Sequence, residues 1–235
     1  MPLKSCIMSD DFDVIPTDGD IDGKRYSDFI EDYWHFLLGP NPDNPVYNNT
    51  IFTRGCQNYR DVYSNVDVRR ENFCGILPET PSQIHTVGSQ NNPFKNTSNY
   101  PVFVTVLDTL ALEPGIDENG GIITQDDVLQ VENAAVTPQA VRLTIRKIGG
   151  GGPQTDVEVF KNHRIGADFS LNVLGTSVLA EHLEYKIRVG SYPNAKTLGY
   201  YVLIKFNTGG VYNINSTGRG VRGYISRAAY YIEIP

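Results

Sequence analysis

Hydrophobic and polar residues alternate in a series of short stretches that runs from about residue 141 to the end of the chain. The stretch 141–148 places Val141, Leu143 and Ile145 at alternate positions, with Arg or Thr between them. This alternation is typical of a strand with one buried face. Further strands are predicted at 102–107, 156–160, 168–173, 183–189, 198–206, 211–214 and 221–234. Because turn residues separate these stretches, the predicted fold is mainly β, an antiparallel β-sandwich or jelly-roll-like domain.

A different period marks an N-terminal amphipathic helix at about 24–38. Its apolar residues recur every three or four positions and form one stripe. They are Tyr26, Phe29, Ile30, Tyr33, Leu37 and Leu38. We expect Asp22 to cap the start of this helix and Gly39-Pro40 to end it. A second, short helix is predicted from Thr124, as N-cap, to about Ala134.

The segment between about 41 and 100 shows little periodicity of either kind. Prolines and Asn-Asn pairs interrupt it repeatedly, which favours long irregular segments. Two interpretations stay open: short strands lie within it, at 51–53 and 62–63, or the segment becomes ordered by wrapping over a neighbouring molecule. We therefore divide the chain into a loop-rich N-terminal region with an arm and one helix, 1–100, and a β-sandwich domain, 101–235.

Composition and charge exclude several classes of protein. The chain has 235 residues, is 40% hydrophobic and carries a formal net charge of −7 without a basic cluster, so we expect no binding to duplex nucleic acid. No apolar run is long enough to cross a bilayer. The N-terminal residues do not resemble a secretory signal, so we expect synthesis in the cytoplasm and, in the assembly interpretation, incorporation into a particle. For Cys56 and Cys74 we favour reduced thiols over a disulfide.

Three alternating aspartates, Asp18, Asp20 and Asp22, precede Gly23 and resemble the first half of a calcium-binding loop. The twelfth loop position, where a bidentate acid closes such a site, is Phe29. A Ca²⁺ ion at the three aspartates is therefore a weak expectation, and no other cofactor is predicted. The alternative is a solvated acidic loop in front of the helix.

No arrangement of residues in the sequence indicates catalysis. The four histidines have no metal-binding spacing, and no Gly-x-Ser-x-Gly motif is present. We therefore predict a protein that is not an enzyme. A catalytic site assembled from distant parts of the chain is the alternative, one that sequence alone does not test.

Aromatic and basic residues near the C-terminus are the candidates for a contact surface. Adjacent tyrosines in a strand point to opposite faces, so one of each pair faces away from a shared core. The predicted interaction surface comprises Tyr200, Tyr201, Tyr212, Arg219, Arg222, Tyr230 and Tyr231. The alternative is that the N-terminal region of the same chain covers the outer tyrosines.

Two functions fit this organisation. The first is a non-enzymatic structural or assembly protein, such as a virion or surface-lattice component, that acts through protein–protein contacts as a homo-oligomer or larger assembly. The second is a β-sandwich module that binds carbohydrate or another small ligand through exposed tyrosines, with calcium at the acidic loop. The sequence favours the first.

Overall fold

The computed structural model describes residues 9–38, 44–53, 58–59, 71–72, 84–116, 119–134, 136–175, 189–220 and 225–235. Its elements, in chain order, are β1 (Phe12–Ile15), β2 (Asp20–Ile21), β3 (Lys24–Arg25), α1 (Tyr26–Leu37), β4 (Val46–Tyr47), β5 (Thr50–Thr53), β6 (Asn58–Tyr59), β7 (Glu71–Asn72), β8 (His85–Val87), β9 (Phe94–Lys95), β10 (Val102–Ala111), β11 (Gly115–Ile116), β12 (Ile122–Ile123), α2 (Gln125–Ala134), a 3₁₀ turn (Pro138–Ala140), β13 (Val141–Ile148), β14 (Thr155–Val157), α3 (Val159–Asn162), β15 (Arg164–Val173), β16 (Gly190–Phe206), β17 (Gly210–Arg219) and β18 (Ile225–Ile234). The described part of the chain is thus mainly β.

The first sheet is built around β16, the longest strand. Its order is β1-β16-β10-β5-β4, and β15 also pairs with β16. Most pairs are antiparallel, but β5 runs parallel to β10, with Ile51 opposite Val102. The strand predicted at 51–53 is therefore present as β5, whereas 62–63 lies outside the described residues.

The second sheet has the order β14-β13-β17-β18-β8, and β9 also pairs with β18. Both β8 and β9 run parallel to β18. The sheets, which were predicted to be antiparallel, are therefore mixed, because short segments that precede residue 101 pair with β10 and β18 in the parallel sense. α3 occupies the end of the region predicted as a strand at 156–160.

The N-terminal segments take part in both sheets. β1 and β5 belong to the first sheet, and β8 and β9 belong to the second, where they pair with strands that follow residue 101. Lys147 adds a link between the sheets, because its Nζ donates to Asp11 Oδ1 at 2.8 Å and to Thr208 Oγ1 at 2.7 Å. The regions 1–100 and 101–235 thus share their hydrogen-bonded framework.

An apolar cluster, which we call the intersheet cluster, combines inward-facing residues of the two sheets. From the first sheet it contains Val102, Val104, Tyr200, Val202 and Ile204, and from the second Leu143, Ile145, Tyr212, Ile214, Tyr230 and Ile232, among others. Burial of side chains of this size stabilises the fold by about 1.5–3 kcal/mol each before the entropy cost is subtracted.

A second apolar cluster, the helix-side cluster, lies on the opposite face of the first sheet, against α1. Its aromatic members are Tyr26, Phe29, Tyr33, Trp34, Phe36, Phe52, Phe103, Phe169, Tyr192 and Tyr201. The ring of Phe103 stacks on both Phe29, at 5.9 Å, and Tyr201, at 5.5 Å. Since both faces of the first sheet are covered, alternate residues of β10 and β16 enter different clusters.

A β-bulge in β10 changes which side chains face α1. The register with β16 shifts between Thr105 and Leu107. As a result Val106 and Leu107 both belong to the intersheet cluster, and Asp108 is turned back toward Tyr33 of α1. A bulge re-aims side chains in this way because it inserts one unpaired residue into the ladder.

The two main helices begin with different polar contacts. For α1 the Arg25 N–H donates to Asp28 Oδ2 at 2.8 Å, so the predicted N-cap, Asp22, is wrong. α2 begins as predicted, with Thr124 and Asp127 bonding reciprocally: Thr124 N–H donates to Asp127 Oδ2 at 3.0 Å and Asp127 N–H donates to Thr124 Oγ1 at 3.2 Å.

In the described ranges, we find no helix with the length and hydrophobicity needed to span a membrane.

Candidate functional site

The three aspartates predicted to bind calcium belong to a tight hairpin instead. β2 pairs antiparallel with β3 across Asp22 and Gly23, which have φ angles of 54° and 81°. Positive φ at both central residues is the geometry of a type I′ turn, for which Asp-Gly is a preferred sequence. The Gly23 N–H donates to Asp20 Oδ1 at 2.9 Å. We call this element, with Asp18, the acidic hairpin.

The hairpin does not gather its carboxylates around an ion. Asp18, Asp20 and Asp22 are all exposed. Among the residues that the structure describes, no three His, Cys, Asp or Glu side chains are arranged to hold a metal. The calcium loop predicted at these aspartates is therefore corrected to a turn, because an oxygen of Asp20 serves the backbone of the turn itself.

Four of the tyrosines predicted to form a contact surface are buried. Tyr200, Tyr212 and Tyr230 belong to the intersheet cluster, and Tyr201 belongs to the helix-side cluster. Tyr201 lies 6.4 Å from the ring of Tyr33 of α1, so the N-terminal region covers it, as in the alternative interpretation. The prediction that these four rings are exposed is wrong, because the first sheet is covered on both faces.

The rest of that predicted surface lies on the outer face of the second sheet, except Arg222, which is outside the described residues. Alternate residues of β13, β17 and β18 form this face, while their neighbours point into the intersheet cluster. It comprises Arg142, Thr144, Arg146, Asn213, Asn215, Thr217, Arg219, Arg227, Ala229 and Tyr231. All ten are exposed or partly exposed. We call this surface the arginine face.

The strand register groups the arginines of this face. Thr217 is opposite Arg142 on one side and Arg227 on the other, and Arg219 follows it two positions along β17. Neighbouring strands are about 4.8 Å apart, so the backbones of Arg142 and Arg227 lie about 10 Å apart. Three guanidinium groups are therefore carried by adjacent positions around one threonine.

Within the described part of the chain, the arginines of this face have no partner. Arg142, Arg146, Arg219 and Arg227 make neither an ion pair nor a side-chain hydrogen bond with any residue of the described part. The nearest acids in register are Asp156, opposite Thr144, and Glu233, two positions beyond Tyr231. The face thus offers several charged donors in a fixed arrangement, each with its hydrogen-bonding capacity unused.

The arginine face has the composition of a protein contact surface. Its cations are all arginine, and it includes one tyrosine and several Asn and Thr residues. Arg and Tyr are enriched at protein interfaces, and Lys is depleted. Arginine donates two parallel N–H groups to a carboxylate, so this surface is suited to acidic partners.

Sequence reasoning identified only part of this surface. Arg219 and Tyr231 were predicted, whereas Arg142, Arg146 and Arg227 were not. A signal was available in β13, where Arg142 and Arg146 occupy the polar positions of a strict alternation and must face away from the core. Arg227 had no comparable signal, because the apolar spacing of β18 is less regular.

A buried carboxyl group lies at the bulge of β10. Asp108 is 7% exposed, and its Oδ2 has no hydrogen-bond partner among the described residues. Burial raises the pKa of Asp108 to about 7, although a hydrogen bond from the Tyr33 hydroxyl acts in the opposite direction. Burial also lowers the pKa of His163 to about 4, and the Nδ1 atom of His163 likewise has no partner in the part of the chain that the structure covers. Neither group is open to a substrate in this structure.

A small groove lies between α2, β15 and β16. It has a volume of about 240 Å³ and is lined by Asp126, Leu129, Gln130, Gly166, Ala167, Asp168, Lys196, Thr197 and Leu198. Lys196 Nζ is 3.1 Å from Asp126 Oδ1, and this contact raises the pKa of the lysine. The groove is smaller than most small-molecule sites, which have volumes of about 300–1,000 Å³.

No protein-family model, no curated protein and no solved structure matches this chain. Its functional surfaces are therefore inferred from geometry and charge alone.

Proposed function

We propose that this chain is a non-enzymatic structural or assembly protein, of the kind that builds a virion or surface lattice, and that it acts through protein–protein contacts. The two sheets then form a jelly-roll-like β-sandwich that serves as the rigid body of the subunit. The arginine face carries this proposal, because it is an exposed polar surface with four arginines that have no partner among the residues the structure describes.

The contrast between the two sheets supports this role. The outer face of the first sheet is closed by α1, with ten aromatic residues of the helix and the sheet in the cluster between them, whereas the outer face of the second sheet is polar and accessible. A fold that covers one sheet face with its own helix needs no partner there. The second sheet leaves its face available for another molecule.

The state of the titratable groups supports a non-enzymatic role. Among the residues that the structure describes, the two groups with strongly shifted pKa values, Asp108 and His163, are 7% and 5% exposed. Perturbed groups that mark active sites usually lie in a cleft. Here burial beside aromatic and backbone groups accounts for both shifts.

The test is the oligomeric state of the intact protein, by sedimentation velocity and native mass spectrometry over a range of concentrations and salt. We expect oligomers that grow with concentration and dissociate as salt screens surface charge. The variant Arg142→Gln/Arg219→Gln/Arg227→Gln should be monomeric under conditions in which the wild type associates. A matched control, Lys161→Gln/Arg164→Gln/Lys205→Gln, removes three cations outside the arginine face and should associate like the wild type. A wild-type protein that stays monomeric throughout would overturn the proposal.

The groove beside Lys196 favours a second candidate function, binding of carbohydrate or another small polar ligand. Carboxylate, amide, hydroxyl and ammonium groups line it, and such groups bind sugar hydroxyls. A glycan array with the wild type and with Lys196→Met tests this candidate. Binding that the variant loses would support this candidate function. No glycan signal with the wild type would remove it.

A further inference from the structure

The negative charge of this protein is concentrated in one segment. Residues 9–32 contain nine acids and two bases, a balance of −7. The whole chain also carries −7, so the remaining residues sum to zero. The acidic hairpin presents Asp18, Asp20 and Asp22 at the surface of this segment. The chain thus has an acidic segment, and in its described part the second sheet carries a surface of arginines without ion-pair partners.

The acidic hairpin and the arginine face lie on opposite sides of the molecule. Ile21 of the acidic hairpin packs in the helix-side cluster, with α1, on the outer face of the first sheet. The arginine face is the outer face of the second sheet. Packed layers are about 10 Å apart, so roughly 20 Å separates the two regions. This exceeds the Debye length of about 8 Å at physiological ionic strength, so neither region neutralises the other within one molecule.

We propose that the arginine face of one copy binds the acidic hairpin of a second copy. This inference rests on the proposed assembly function and names its partner: another molecule of this chain, seated head to tail. The turn of the hairpin is narrow, because Asp22 and Gly23 form a two-residue turn. A narrow turn that carries exposed carboxylates can approach Arg142, Arg219 and Arg227, which surround Thr217 in the strand register. Arginine–carboxylate pairs across the contact then fix orientation and speed association.

The opposite placement of the two surfaces determines the symmetry. A contact between different patches is heterologous, so each copy keeps one free arginine face and one free hairpin after it pairs. Such contacts extend into open chains or close into rings, depending on the rotation between copies. An isologous dimer would instead pair like-charged patches, which is unfavourable. Head-to-tail growth is the expected mode.

Complementation between two variants tests the proposal. The arginine-face variant is Arg142→Gln/Arg219→Gln/Arg227→Gln. The hairpin variant is Asp18→Asn/Asp20→Asn/Asp22→Asn, in which Asn keeps the hydrogen-bond acceptor at position 20 and tolerates the positive φ at position 22. Circular dichroism and the melting temperature verify that both are folded. Each variant alone should associate at least about tenfold more weakly than the wild type at low salt.

An equimolar mixture of the two variants should form a 1:1 heterodimer that does not grow. In that mixture the hairpin variant supplies the intact arginine face, and the arginine-face variant supplies the intact acidic hairpin. The two substituted surfaces cannot bind a further copy. A control that neutralises Glu113, Glu158 and Asp168, exposed acids outside the hairpin, should assemble like the wild type.

The outcomes separate this inference from the proposed function. If the wild type does not associate, the assembly function fails. If the wild type associates through the arginine face but the hairpin variant associates equally well, only the head-to-tail inference is overturned. A labelled single-stranded oligonucleotide that binds the arginine face while the hairpin variant still self-associates normally would assign that face to a polyanion and also overturn it.

Discussion

At the residue scale, Asp108 makes the stability of the protein depend on pH in an unusual direction. Its carboxyl keeps a proton up to about pH 7 in the folded state, whereas an unfolded aspartate loses it near pH 3.9. Between these values unfolding releases a proton, so this residue lowers the free energy of unfolding as the pH rises. The stabilising contribution of the protonated Asp108 carboxyl is fully present below about pH 4, and it is lost as the pH rises through about 7.

The variant Asp108→Asn should therefore gain stability relative to the wild type as the pH rises, by a few kcal/mol between about pH 4 and pH 8. Urea unfolding of both proteins across this range measures the difference. The matched control is His163→Gln. Burial lowers the pKa of His163 to about 4, so the wild-type protein loses stability as the pH falls below about 6.5. The free energy of unfolding of His163→Gln should therefore rise relative to the wild type toward acid pH, which is the opposite direction. If the difference in unfolding free energy between Asp108→Asn and the wild type does not change with pH, the raised pKa of Asp108 in the folded state is contradicted.

Gly218 is a second residue whose role follows from its neighbours. A Cβ at this position would lie 2.1 Å from the backbone oxygen of Val106, in the facing sheet. We expect Gly218→Ala to lower the free energy of unfolding by about 1–3 kcal/mol or more. The added methyl group would force the backbone of Val106, at the bulge of β10, to shift. Gly152→Ala is the control, since no atom lies within 4 Å of the added methyl group. Denaturant midpoints compare the two, and an unchanged midpoint for Gly218→Ala would mean that the sheets separate easily here.

At the element scale, one tyrosine joins α1 to two strands. The Tyr26 hydroxyl accepts from the Leu203 N–H of β16 at 2.9 Å and donates to the Ile15 carbonyl of β1 at 2.8 Å. Tyr26→Phe leaves the buried Leu203 N–H without this partner, which should cost about 1–3 kcal/mol of stability. Tyr47→Phe, at an exposed ring, should change little. Equal unfolding free energies for the two variants would show that water or a shift of α1 replaces the bond.

β13 and β17 of the second sheet were predictable because each has one polar and one apolar face. β13, with Arg142 and Arg146 facing out, is the clearest example, and the cap of α2 by Thr124 and Asp127 followed from local chemistry alone. The acidic hairpin was not predicted although Asp22-Gly23 signals a type I′ turn, because the alternating aspartates also fit a calcium loop or a solvated loop in front of the helix. Whether such residues form a calcium loop or a hairpin turn depends on the direction of their carboxylates. The spacing of the aspartates along the sequence does not determine that direction.

Other features lay beyond sequence reasoning because they depend on distant partners. β5, β8 and β9 are two to four residues long, too short to show a period, and they are strands only because β10 and β18 offer free edges. Tyr200 and Tyr201 are both buried because two different layers cover the first sheet. The raised pKa of Asp108 likewise depends on a bulge that redirects it under α1.

At the scale of the whole molecule, the shared sheets decide whether the C-terminal region folds alone. Removing residues 1–100 deletes β1, β5, β8, β9 and α1. It exposes the helix-side faces of Phe103, Tyr201 and Leu203, which are fully buried in the intact protein. The lost layer is apolar and mostly aromatic, so the fragment 101–235 would present a large hydrophobic surface to water.

We therefore expect the fragment 101–235 to aggregate or to show a non-cooperative thermal transition with strong ANS binding, whereas the full chain unfolds in one cooperative step. Addition of the separate segment 1–100 should restore cooperative unfolding, because it returns the helix and the edge strands. A fragment that unfolds cooperatively without that segment would instead support an independent β-sandwich domain. In that case α1 would only pack against a domain that folds without it. The acidic hairpin that precedes α1 would then be free to move relative to the arginine face.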